Sequence, residues 1–242
     1  MNSVRPTMVL CAVSLIAPLL AGCAITGTST SQTAASAEPT SPDSKLHAEM
    51  AKMLERQGER GGAAVHYKKA LEIAPHDLTA QLGYARLLVA TGETEEACGW
   101  FERACQDHPQ SAAAHNDLGI CYAECGRASD ALVPLRRAAV IKPGEVRYRN
   151  NLARLLIAKD QQPQALEELL AVHPPAVAHY NAGYLLQADG KRAQAAEQFR
   201  LATALDPSLQ AAQRWSDKMA RWDRLDASTA LQPRRLPQTQ LQ

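Results

Sequence analysis

A chain of 242 residues carrying 26 basic and 25 acidic side chains, formal net charge +1, lacks the electrostatic footprint of a nucleic-acid-binding protein. It holds no Gly-x-Gly-x-x-Gly, Walker loop, His-Glu-x-x-His or Gly-x-Ser-x-Gly, so neither enzymatic activity nor a cofactor is expected. Beyond the N-terminal apolar run, no transmembrane helix is expected.

The first element is that run. Arg5 supplies a positive start, and Met8 to Leu20 is an uncharged stretch of 13 residues, too short to span a bilayer comfortably. Leu20-Ala21-Gly22-Cys23 follows, which resembles the lipobox of bacterial lipoproteins. The resemblance implies that 1–22 is a signal peptide and that Cys23 carries diacylglycerol on sulfur and an acyl chain on nitrogen. The alternative is a secreted protein with an accidental Cys at its cleavage site. One acyl chain binds membranes marginally, whereas two or three anchor stably. By that family's sorting rule, Ala24 rather than Asp after the modified Cys favours the outer membrane, facing the periplasm. Residues 24–43 are Ser, Thr, Ala and Pro with few large apolar side chains, so 23–43 reads as a lipid-anchored disordered tether reaching at most ~70 Å.

A repeat follows. Pro75, Pro109 and Pro143 stand 34 residues apart, which marks segments 44–77, 78–111 and 112–145, with further copies at 146–175 and 176–209. The eighth position holds Ala51, Ala85, Gly119, Ala153 and Gly183, and the twentieth Ala63, Ala97, Ala131, Ala165 and Ala195. Small side chains at both places let two helix axes approach closely. A larger apolar residue at the twenty-fourth position, Tyr67, Phe101, Leu135, Leu169 or Phe199, fills the space beside the crossing. Gly58, Gly92, Gly126 and Gly190 suit the turn between the helices.

This pattern resembles the tetratricopeptide repeat (TPR), most closely at Leu118-Gly119, Tyr122, Ala131, Ala138 and Pro143. The resemblance covers 44–209 and implies an all-α fold, a right-handed α-solenoid of about five helix-turn-helix repeats. The fourth copy departs from the pattern, with Asp160 in place of Gly, Pro163 opening its second helix and Pro174-Pro175 closing it four residues early. Four residues are about one helical turn, so the deletion shortens the helix without turning its buried face outward. Residues 210–226 read as an amphipathic capping helix with Ala211, Trp215, Met219 and Trp222 on one face, and 227–242 as a disordered tail.

With Cys11 in the signal and Cys23 lipidated, four cysteines remain: Cys98 and Cys105 on one helix, Cys121 and Cys125 on the next. Antiparallel facing sets Cys98 near Cys125 and Cys105 near Cys121. In an oxidising envelope these pairs could form nested disulfides. Buried free thiols are a second reading, and a metal or redox site a third. His47, His115 and His179 share the fourth position of alternate repeats, too far apart for one metal to gather. No metal is expected there.

In TPR proteins the concave surface is lined by positions two, five, six, nine, twelve and thirteen of each first helix. That resemblance brings together Arg86, Asn116, Asp117, Arg147 and Asn150 with Asn151, Arg154, Tyr180, Asn181 and Tyr184. A row of amides can pair with the backbone of an extended peptide, and Arg147 and Arg154 favour an acidic one. Leader, tether and repeats together resemble the tight-adherence (Flp-type) pilus assembly lipoproteins, outer-membrane partners of a secretin. They also resemble type IV pilotins and lipoprotein adaptors for cell-wall hydrolases. The expected function is therefore a membrane-tethered scaffold for a protein partner. The alternative of another class is a thiol redox or metal protein built on the four cysteines.

Overall fold

The computed structural model of the chain describes residues 41–230. The expected signal peptide, the lipobox with Cys23, almost all of the tether and the last twelve residues of the expected tail lie outside the described residues. Among the described residues there are eleven helices and no strand. They run α1 (Pro42–Arg56), α2 (Arg60–Ile73), α3 (Leu78–Thr91), α4 (Thr94–Asp107), α5 (Ala112–Glu124), α6 (Ala128–Ile141), α7 (Val146–Ala158), α8 (Gln162–Leu170), α9 (Pro175–Ala188), α10 (Arg192–Leu205) and α11 (Gln210–Ala230). Consecutive helices pack as antiparallel pairs, each pair on the next, in a TPR-type all-α solenoid. No described helix is long and apolar enough to cross a membrane.

The helix boundaries follow from capping chemistry. Asp77 and Ser111 open α3 and α5 by accepting the N–H of Ala80 at 2.9 Å and of Ala114 at 3.3 Å, respectively. Helix α1 begins two residues before the expected repeat start because Ser41 caps it, with proline at its first position and Asp43 in its first turn. The turn glycines hold φ between 75° and 91°. In the fourth repeat Asp160 adopts the same left-handed conformation, at φ 57°, and its carboxylate pairs with Lys191 at 2.6 Å. An aspartate tolerates that backbone where most side chains do not.

The solenoid coheres through the small residues at its crossings. Ala51, Ala85, Ala153 and all five alanines of the twentieth position are fully buried. A Cβ on Gly119 would lie 2.5 Å from Leu135 Cγ and 3.1 Å from the Ala131 carbonyl oxygen, so even a methyl group is too large there. Tyr67, Phe101, Leu135, Leu169 and Phe199 are each at most 2% exposed. Buried side chains fall mainly into one cluster from Ala48 to Cys121 and another from Ala131 to Met219, with Tyr122 packed against both.

Two features set the C-terminal half apart. Helix α8 has nine residues where α4, α6 and α10 have 14, yet Ala165 and Leu169 remain fully buried. Helix α11 extends four residues past the expected 226. Its Trp215 stacks on Phe199, with centroids 5.3 Å apart and planes 11° apart, and Met219 is buried below it.

Candidate functional site: the concave face

First helices α3, α5, α7, α9 and α11 line a run of open hollows. Nearest the N-terminus is a hollow of about 150 Å³ between α3 and α5, containing Arg86 and Asp117. The next, about 250 Å³, lies between α5 and α7 and is lined by Ile120, Glu124, Asn151 and Arg154 among others. A third, about 120 Å³, is framed by Tyr180, Arg214, Trp215 and Lys218, and a fourth, about 480 Å³, by Arg214, Asp217, Lys218, Arg221 and Trp222.

Polar residues of the first stretch are committed to one another. Arg86 donates through Nε to Asp117 Oδ2 at 2.7 Å, and its Nη2 lies 2.5 Å from the same oxygen. Asn116 donates to Asp117 Oδ1 at 3.1 Å, and Asn151 donates to Asn116 Oδ1 at 2.8 Å. The chain of bonds crosses α3, α5 and α7, and Asn116 at its centre is 1% exposed. A buried amide without partners costs about 1–3 kcal/mol, so this row holds repeats together.

Other expected groove residues are placed differently. Asn150 accepts a hydrogen bond from His173 Nε2 at 3.0 Å, at the turn between α8 and α9, on a different side of α7 from Asn151. The Arg147 guanidinium lies 5.0 Å above the Tyr148 ring and donates to its hydroxyl at 3.3 Å. Tyr180 packs at a tilt on Phe199, and Tyr184, half exposed, meets Trp215 edge-on.

The remaining polar groups are open. Arg154, Arg214 and Arg221 are exposed and pair with no carboxylate among the described residues, and the Asn181 side chain makes no hydrogen bond there. Lys218 Nζ sits 4.3 Å from the Trp215 centroid and 4.7 Å from that of Trp222. The C-terminal end of the face is thus a cationic and aromatic surface suited to anions.

Sequence reasoning favoured a capping role for α11 over a partner-binding tryptophan face and left its cations Arg214, Lys218 and Arg221 out of the groove. The signal was present: carrying the concave positions into a segment that starts at 210 yields Ala211, Arg214, Trp215, Lys218, Arg221 and Trp222. These are side chains that frame the last two hollows.

The cysteine pairing needs correction. The structure joins Cys98 to Cys121, with Cα atoms 5.8 Å apart, and leaves Cys105 and Cys125 as thiols. Neither the Cys98–Cys125 nor the Cys105–Cys121 bond is formed. Register explains the difference: nine residues back from Asp107, the end of α4, is Cys98, and nine forward from Ala112, the start of α5, is Cys121. Burial, with the negative charges of Asp117 and Glu102, pushes the Cys105 thiol up to about 12. The sulfurs of Cys98, Cys121 and Cys125 lie within 4.8 Å of one another.

The histidines are dispersed. His47 Nδ1 meets His66 Nδ1 at 3.0 Å, His115 Nε2 the Pro109 carbonyl at 3.1 Å, and His179 Nδ1 Gln198 Oε1 at 2.7 Å. The His47 and His179 contacts lie within one repeat, and that of His115 reaches back from the third repeat to the end of the second.

Three segments match tetratricopeptide-repeat family models, residues 54–98, 78–121 and 176–209. No protein of curated function matches the chain by sequence. Among solved structures, the chain is similar to YrrB, a TPR protein with an unusual peptide-binding site, at 26% identity and TM-score 0.55, over 71% of this chain and 91% of that one. It resembles a MamA protein from Desulfovibrio magneticus RS-1 at 18% identity and TM-score 0.57, over 71% and 99% of the two chains. A third likeness is to Pseudomonas aeruginosa PilF, at 18% identity and TM-score 0.56, over 78% and 87%.

Proposed function

We propose that this TPR-type solenoid is a non-enzymatic scaffold that holds an extended acidic segment of a partner protein along its concave face. The observation that carries the reading is the row of unpaired cations from α7 to α11, Arg154, Arg214 and Arg221, beside Asn181 and the Trp215–Lys218–Trp222 stack. Open cations attract carboxylates at long range, and the free amide offers a donor and an acceptor to peptide backbone. The peptide-binding site of YrrB, which shares this fold, supports a peptide as the ligand class.

The scaffold works in the cell envelope, tethered through lipid on Cys23, and serves pilus or secretin assembly. That part of the proposal rests on the leader Leu20-Ala21-Gly22-Cys23 and on the combined outline of leader, tether and repeats.

Affinity capture from envelope membranes tests both parts. The wild-type chain is expected to fractionate with membranes and to retain a defined partner. Cys23→Ser should release it to the soluble fraction, and Arg154→Glu with Arg214→Glu should lose the partner while helicity is unchanged. An unmodified Cys23 by mass spectrometry defeats the lipid anchor. Undiminished capture by the double variant defeats the groove.

A further inference from the structure

Helix α5 presents two sulfurs to Cys98. Cys121 is bonded to it, and Cys125, one helical turn further, has its Sγ 3.7 Å from Cys98 Sγ. Both choices close loops of similar size, with sequence separations of 23 and 27, so loop-closure entropy discriminates little between them. Cys125 is the C-cap residue of α5, where helix ends fray and a side chain can swing into line. The Thr94 carbonyl oxygen lies 3.4 Å from Cys121 Sγ, so an acceptor already waits for a thiol proton on Cys121. A bonded Cys121 has no proton to place there.

We propose that Cys98, Cys121 and Cys125 form a thiol–disulfide exchange site in which one disulfide is shared between two pairings, Cys98–Cys121 and Cys98–Cys125. The Cys125 thiolate attacks Cys98 Sγ. The Cys98–Cys125 bond forms as the Cys98–Cys121 bond breaks, and the electron pair of the broken bond stays on Cys121. Cys125 gives its proton to water, Cys121 takes one back from water, and the new Cys121 S–H donates a hydrogen bond to the Thr94 carbonyl oxygen. Nothing is oxidised or reduced overall, so no co-reactant is required. Cys105 takes no part: its sulfur is not among the three gathered within 4.8 Å, and its half-buried thiol resists ionisation. The site is independent of the partner-binding reading.

Peptide mapping decides the matter. The full chain, prepared without reductant, is quenched in acid, alkylated with N-ethylmaleimide at acid pH, and cut with trypsin and a Glu-specific protease. Glu96 and Glu102 bracket Cys98, and Glu124 lies between Cys121 and Cys125, so the two pairings give different linked peptides. Both linked peptides are expected from the wild-type chain, with N-ethylmaleimide on Cys125 in one population and on Cys121 in the other. Cys121→Ser and Cys125→Ser should each keep one disulfide, to Cys125 and Cys121 respectively. A wild-type map with one pairing alone overturns the proposal, as does a folded Cys121→Ser chain whose thiols are all free. Should either variant fail to fold by circular dichroism, the wild-type map still decides.

Discussion

Between α3 and α7 the concave face pairs its polar groups internally, Arg86 with Asp117 and Asn116 with both Asp117 and Asn151, whereas from α7 onward Arg154, Arg214 and Arg221 are exposed without such partners and the half-buried Asn181 amide makes no hydrogen bond among the described residues. Equivalent repeat positions therefore serve two ends. Where neighbouring repeats bring complementary groups into contact, polar side chains fix the stacking, and where the nearby carboxylates Glu124 and Asp217 form no ion pair with the arginines beside them, the cations stay open to a ligand. A position in a repeat thus specifies a direction of pointing but not a role, which its neighbours decide.

The largest effect expected is at the base of the open end. Phe199→Ala removes a fully buried ring that carries Trp215 and fills the space at Gly183, and should cost about 3–5 kcal/mol. A chemical-denaturation midpoint close to wild type would mean that α11 is held by other contacts. Ala131→Leu in the central crossing should overpack α6 on α5 by about 1–3 kcal/mol and spread to adjacent repeats, read as a lowered and broadened melt by circular dichroism.

The comparison itself is tested by two amides. Asn116→Ala should destabilise by about 1–3 kcal/mol, since the Asn151 amide loses its acceptor and Asp117 Oδ1 its donor, although Asp117 Oδ2 keeps Arg86. Asn181→Ala should leave the melt unchanged and weaken partner capture by about 0.5–1.5 kcal/mol. Equal effects of the two on stability would erase the distinction between the two ends.

The smallest effect concerns acid. Burial alone would raise the Asp107 carboxyl, but hydrogen bonds from His76 and Gln81, with the charges of His76 and Arg103, outweigh it and hold the group below the ordinary aspartate value of 3.8. A depressed folded-state pKa contributes stability that is present above the ordinary value and lost as pH falls through the folded one. The α3–α4 pair should therefore weaken below that range, and Asp107→Asn should flatten the acid limb of a plot of melting temperature against pH.

The scaffold was legible because its determinants are local. Alanine or glycine at the eighth and twentieth positions and one larger residue at the twenty-fourth determine how each helix pair packs, and a left-handed turn needs glycine or a tolerant residue such as Asp160. The disulfide was not legible, because its pairing depends on where α4 stops and α5 starts, and a shift of one turn in that register moves the bond from Cys121 to Cys125. Nor was the inward fate of Asn116, which depends on Asn151 of the following repeat. Glu124 and Ile120 stand at concave positions of the third repeat and line the hollow beside Arg154, but neither was counted among the expected groove residues.

Lys191 has a mechanical consequence. Its ammonium contacts Asp160 at 2.6 Å, Asp189 at 2.8 Å and the Ile157 carbonyl oxygen at 2.5 Å, so one cation ties the end of α7 to the turn after α9. The joint beside the shortened fourth repeat is therefore fastened by charge, while the α4–α5 seam is fastened by a covalent bond. Salt screens the first and leaves the second untouched. In elastic terms the solenoid is a spring with unequal coils: the Lys191 fastening should soften as ionic strength rises, on top of the buried cluster that runs through the joint, while the sulfur seam should not respond to salt.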